Sequence, residues 1–121
     1  VRRDRMIQLE NAKMSPRIEN GTLCWYRGDE FSFTINLVLN DADGEVVEIL
    51  PEDKITVLFE DEKGEEVKEF EFTSISANTI TLEFMDEVTA LFKEGKYKYD
   101  ITIEHSGITT TLAKGNDVLV E

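Results

Sequence analysis

From Phe31 onward nearly every second side chain is apolar: Phe31, Phe33, Ile35, Leu37 and Leu39 alternate with Ser32, Thr34, Asn36 and Asn40, and only Val38 breaks the rule. A two-residue period puts one face of an extended chain on a core and the other in water, so this stretch reads as a half-buried β-strand. The pattern recurs. Ile55, Val57 and Phe59 alternate with Lys54, Thr56 and Glu60, with Leu58 the exception on the outer face, and Phe70 and Phe72 point inward from a following strand. Ile80, Leu82 and Phe84 form another strand, and Tyr97, Tyr99, Ile101 and Ile103 a further one.

Turn residues separate these runs. Asp43-Gly44, Lys63-Gly64, Ala77-Asn78 and His105-Ser106-Gly107 supply side chains that accept positive φ. They predict reversals into strands at Glu45–Leu50, across 65–72, from Thr79, and at Ile108–Leu112. A last short strand is expected at Val118–Val120, after Lys114-Gly115-Asn116-Asp117. One segment departs from the pattern. Asp86 is placed to cap a turn of helix whose face carries Val88, Leu91 and Phe92, and Gly95 ends it.

About eight short strands with one helical turn near 86–93 predict an all-β, immunoglobulin-like antiparallel sandwich. The segment Gly95-Lys96-Tyr97-Lys98-Tyr99 favours a sandwich over a barrel. It has the arrangement of a tyrosine corner, in which a tyrosine hydroxyl near the start of a strand bonds back to upstream backbone.

The 121 residues match one domain. Residues 1–21 lack a period and are punctuated by Pro16 and Asn20-Gly21, so they read as an N-terminal arm with a short strand at Met6–Leu9. Residues 22–121 then form the sandwich. Charge divides along the same line. The net charge is −13, but residues 1–27 hold six basic and three acidic side chains, a net +3. Residues 28–121 hold seven basic and 23 acidic ones, a net −16. An acidic body argues against nucleic acid or an anionic membrane as partner. The longest apolar runs, such as Leu37-Val38-Leu39, fall far short of the roughly 18 residues of a spanning helix, and the N-terminal stretch lacks the apolar segment of a secretory signal.

The inventory for chemistry is thin. His105, the one histidine, lies in a turn sequence and reads as a solvated loop residue rather than a general base. Cys24, the one cysteine, lies beside Trp25 and Tyr26 in a strand pattern and reads as a small buried hydrophobe. Asp41-Ala42-Asp43-Gly44-Glu45 has the spacing of the start of a calcium loop, but the position of the closing bidentate acid is Leu50, so a hairpin turn is expected. Arg27-Gly28-Asp29 reads as a turn between strands rather than an adhesion loop. No catalytic residue, metal site or cofactor is expected, and the chain reads as a non-enzyme.

Trp25 and Tyr26 are adjacent on a strand and face opposite sides, so one of the pair is a candidate interface anchor. The basic side chains Arg2, Arg3, Arg5, Lys13 and Arg17 are candidates for docking on the acidic body of a neighbouring copy or another protein.

The order of features from Arg27 to Val120 resembles the small immunoglobulin-like modules of tailed phages and prophages, such as the N-terminal domain of baseplate upper proteins. The resemblance is carried by Arg27-Gly28-Asp29 leading into Phe31–Leu39, by the Asp41–Glu45 turn, and by Leu82 with the turn Val88-Thr89-Ala90-Leu91. It continues through Gly95-Lys96-Tyr97-Lys98-Tyr99-Asp100-Ile101 and ends in Gly115 and Val118–Val120. It implies a non-enzymatic structural module of a tail or baseplate, made in the bacterial cytoplasm and located in the virion or prophage particle. Its partners would be structural proteins or further copies of itself. The competing expectation is a sandwich that binds carbohydrate or a cell-surface protein.

Overall fold

The computed structural model describes residues 16–121. Among these residues eight strands form two sheets: β1 (Arg17–Glu19), β2 (Thr22–Trp25), β3 (Phe31–Asn36), β4 (Lys54–Asp61), β5 (Glu66–Phe72), β6 (Thr79–Phe84), β7 (Gly95–His105) and β8 (Ile108–Val120). A single helical turn, α1 (Asp86–Thr89), lies between β6 and β7. The larger sheet runs β1-β2-β8-β7-β4-β5, and β3 and β6 form the smaller one. All pairings are antiparallel except β2 with β8, where Leu23, Cys24 and Trp25 lie parallel to Val118, Leu119 and Val120. The all-β sandwich read from the alternating pattern is the fold observed. No helix among the described residues is long and apolar enough to cross a membrane.

The alternation places the core where the two-residue period requires. Ile55, Val57 and Phe59 of β4 and Ile80, Leu82 and Phe84 of β6 are all at most 2% exposed. Trp25 lies at the centre of one end, its ring 5.3 Å from Phe31, 5.2 Å from Phe84 and 5.4 Å from Phe92. Burying such aromatics is the main source of stability in a small sheet protein whose one cysteine is free.

Several expectations need correction. Residues 45–50 form no strand: one isolated bridge joins Asn40 to Val46, and Val47 N–H donates to the Leu39 carbonyl. Val46, Val47, Ile49 and Leu50 are apolar without alternating, and only Ile49 is buried. The expected break at 114–117 is instead continuous strand. Gly115 lets β8 pass the Tyr99 ring, since a Cβ there would sit 3.2 Å from Tyr99 Cε1, and register shifts at Tyr97/Tyr99 and Ile101/Thr102 absorb the irregularity. Arg17–Glu19 pairs with β2 through Asn20 and Gly21, which take φ of 53° and 80°, the positive values of a tight hairpin turn. The expected strand at Met6–Leu9 lies outside the described residues.

Around α1 the details also differ. Met85, not Asp86, occupies the N-cap and offers no side-chain cap, while Asp86 lies in the first turn. Phe92 and Thr89 are buried and Leu91 is exposed, because the turn is too short to present three residues on one face.

Candidate interaction surface

Arg17 sits on β1 at the edge of the large sheet. Its Nε donates to Glu19 Oε2 at 2.9 Å and its Nη2 to Glu121 Oε1 at 2.6 Å, and the guanidinium lies 5.8 Å from the centroid of the Tyr26 ring. Glu19 first, then Glu121, stabilise the charged form. Arg17 therefore clamps the two ends of its own domain together. Two of its nitrogens are thus engaged by carboxylates of the same chain.

Tyr26 is 42% exposed and Trp25 fully buried, so of the adjacent pair only Tyr26 reaches the surface. The two form no aromatic platform of the kind that stacks on sugars. Arg2, Arg3, Arg5 and Lys13 lie outside the described residues. Cys24 is buried, with Sγ 3.6 Å from the Thr22 carbonyl oxygen, in keeping with a packing role.

His105 is not the solvated loop residue expected. It ends β7, and its Nδ1 is 2.8 Å from Oδ1 of Asp53, whose side chain is 1% exposed. The second oxygen of Asp53 accepts the Leu50 N–H at 2.9 Å. Burial by itself pushes the Asp53 carboxyl up, but the Leu50 N–H and His105 more than reverse this and leave it below the ordinary value. An aspartate orienting a histidine through Nδ1 is the inner half of a hydrolase triad. Among the described residues no hydroxyl bonds to the imidazole, and the contact instead ties the 50–53 turn to the end of β7. Sequence reading missed Asp53, which differs from the chain's other acids only in where the fold puts it.

Two acidic turns share one construction. In Asp41-Ala42-Asp43-Gly44-Glu45 and Asp61-Glu62-Lys63-Gly64-Glu65 the leading aspartate accepts two backbone N–H bonds through Oδ1, at 2.9 and 3.0 Å in the first turn and 2.9 Å for both in the second. Gly44 and Gly64 take φ of 82° and 84°. Each aspartate thus closes its own turn through the backbone; the first is followed by one isolated bridge, Asn40 with Val46, and the second joins β4 to β5. No cluster of three or more ligating side chains occurs among the described residues.

Beyond the second turn, the outer edge strand β5 presents Glu66, Glu69 and Glu71 to solvent. Glu69 is raised above the ordinary carboxylate value, chiefly by sharing a hydrogen bond with Glu71, then by partial desolvation and the charges of Glu66 and Glu71; Lys54 opposes this. Lys54 Nζ reaches Glu71 at 3.9 Å.

On the opposite side of the sandwich a cleft of about 260 Å³ opens between the sheets. Its walls include Ile18, Leu23, Phe33, Ile35, Tyr99 and Val118. It is apolar and smaller than the roughly 300–1,000 Å³ of ordinary small-molecule sites. No family model, no curated protein and no solved structure matches this chain.

Proposed function

We propose that this chain is a non-enzymatic structural or assembly module of a phage or prophage tail or baseplate-like particle, an immunoglobulin-like sandwich that works through protein–protein contacts. The order of turn and core residues from Arg27 to Val120 supports the family reading. The parallel pairing of β2 with β8 and the hydroxyl bond of Tyr97 to upstream backbone support the immunoglobulin-like class.

One observation carries the assembly reading: the exposed row of Glu66, Glu69 and Glu71 along β5, at the edge of the large sheet. A cationic partner relieves the repulsion within that row, and complementary charge steers and orients association. Charges on an edge strand also discourage strand-to-strand pairing, so the contact is one of side chains rather than sheet extension. Arg2, Arg3, Arg5 and Lys13 carry the opposite charge, which makes a second copy the partner the chemistry fits.

Light scattering after size exclusion tests this on the full chain and on a variant with Arg2, Arg3, Arg5 and Lys13 changed to glutamate. The reading predicts an oligomer at low salt that dissociates at high salt and is lost in the variant, as screening over about 8 Å at physiological ionic strength requires. A monomer at every salt concentration, or an oligomer indifferent to the arm's charge, contradicts it.

A further inference from the structure

The turn between β1 and β2 contains the one Asn-Gly step in the sequence. Glu19 pairs with Thr22, so Asn20-Gly21 is a two-residue connection, and φ values of 53° and 80° are the positive angles such a turn demands. The same step is chemically weak. The backbone nitrogen of the residue after an asparagine can attack the side-chain amide, and only glycine presents that nitrogen without a side chain in the way.

The other asparagines among the described residues are better protected. Their successors, Leu37, Asp41, Thr79 and Asp117, all carry side chains. In three of the four the attacking nitrogen is also engaged: Leu37 N–H donates to the Asn78 carbonyl at 2.7 Å, Asp41 N–H to Glu45 at 2.9 Å and Thr79 N–H to Ser76 at 3.3 Å. Asn78 is the closest comparison, because its φ of 52° matches that of Asn20. In a two-residue hairpin the ladder bonds close on the flanking pair, here Glu19 and Thr22, so the Gly21 N–H lies outside the ladder. Apart from its chain neighbours, nothing among the described residues lies within 4 Å of where a Cβ on Gly21 would stand. The Asn20 side chain therefore has room to fold back onto that nitrogen. Ring closure also needs the turn to open for a moment. β1 is three residues long and its central side chain, Ile18, is 65% exposed, and a short segment that buries so little opens without unfolding the rest.

We infer that Asn20 is a site of spontaneous deamidation and that its isoaspartyl product releases β1 from β2. The Gly21 nitrogen bonds to Asn20 Cγ, the Cγ–Nδ2 bond breaks, and the proton lost from Gly21 leaves with the side-chain nitrogen as ammonia. Water then opens the five-membered succinimide. Opening at Cγ gives aspartate with the backbone unchanged. Opening at the backbone carbonyl gives isoaspartate, whose main chain runs through Cβ and Cγ and is longer by a carbon. One water is consumed and one ammonia released, with no change of oxidation state.

Turn length fixes hairpin register, so the longer loop displaces Arg17 from Cys24 and Ile18 from Leu23. The 2.6 Å bond from Arg17 to Glu121 is lost with them. Because the conversion runs one way, it marks the age of the chain. Nothing in this chemistry depends on the charge-mediated assembly proposed above.

Ageing the full chain in mildly alkaline buffer tests the proposal. Peptide mapping by mass spectrometry follows Asn20 and Asn78, isoaspartyl methyltransferase distinguishes isoaspartate from aspartate, and an Asn20→Asp variant stands for the product with a normal backbone. The expected result is conversion at Asn20 while Asn78 stays an amide. The isoaspartyl fraction loses hydrogen-exchange protection at Thr22 and Cys24, the amides that the β1 ladder holds, and Asn20→Asp keeps it. Conversion at Asn20 no faster than at Asn78 overturns the site. Isoaspartyl protein as well protected at Thr22 and Cys24 as the fresh chain overturns the release of β1. Loss of the same protection in Asn20→Asp overturns it too, because charge and not backbone length is then the cause.

Discussion

Tyr97, 6% exposed at the start of β7, donates its hydroxyl hydrogen to the Lys93 carbonyl at 2.7 Å and so fixes the corner between α1 and the longest ladder of the sheet. The ring also packs edge-on against Phe92 at 5.1 Å. Burial raises the phenol above its usual value, so the hydroxyl remains a donor throughout the neutral range.

Tyr97→Phe keeps the ring and removes one hydrogen bond, leaving the Lys93 carbonyl without its side-chain donor. The expected loss is about 1–2 kcal/mol of unfolding free energy with an unchanged denaturant m-value. Urea unfolding followed by tryptophan fluorescence reads it directly, since Trp25 lies in the adjoining core.

Asp53 provides a pH signature. Its folded pKa lies below the ordinary aspartate value, so the stability it contributes is present above about pH 4 and is lost as pH falls through the depressed folded value. Asp53→Ala strands the Leu50 N–H that the carboxylate accepts, at a cost of about 1–3 kcal/mol at neutral pH. Thermal unfolding from pH 7 to 2 should show a shallower acid-side decline in Asp53→Asn than in the parent chain.

Glu69 has the opposite sign. A carboxyl raised by folding opposes the folded state above its folded pKa, and that opposition is relieved as pH falls below it. Glu69→Gln is therefore expected to raise Tm at neutral pH and low salt, with the gain shrinking as salt screens Glu66 and Glu71. A gain unaffected by salt would assign the effect to packing instead.

Much of the fold is legible in the two-residue period, because β3, β4, β6 and β7 each bury one face and the alternation records which. Tyr97 and the turn glycines are legible for the same local reason: their roles depend on residues within a few positions. What escapes local reading depends on distant partners. Arg17 and Glu121 are 104 residues apart, and Asp53 and His105 are 52 apart, so no spacing rule joins them. Residues 45–50 look strand-like in composition, yet the turn at 50–53 is held by Asp53. Continuity of β8 through Gly115 rests on Tyr99 lying against that glycine.

The central claim, that a basic arm meets the acidic β5 edge of a second copy, is tested most directly by a charge exchange. Arm residues Arg2, Arg3 and Arg5 are changed to glutamate in one variant, Glu66, Glu69 and Glu71 to lysine in another, and both sets in a third, with molar mass measured by light scattering at low salt. The account predicts that each single set abolishes the oligomer and that the combined set restores it. Oligomers that survive either set, or that the combined set fails to restore while the protein stays folded, contradict it.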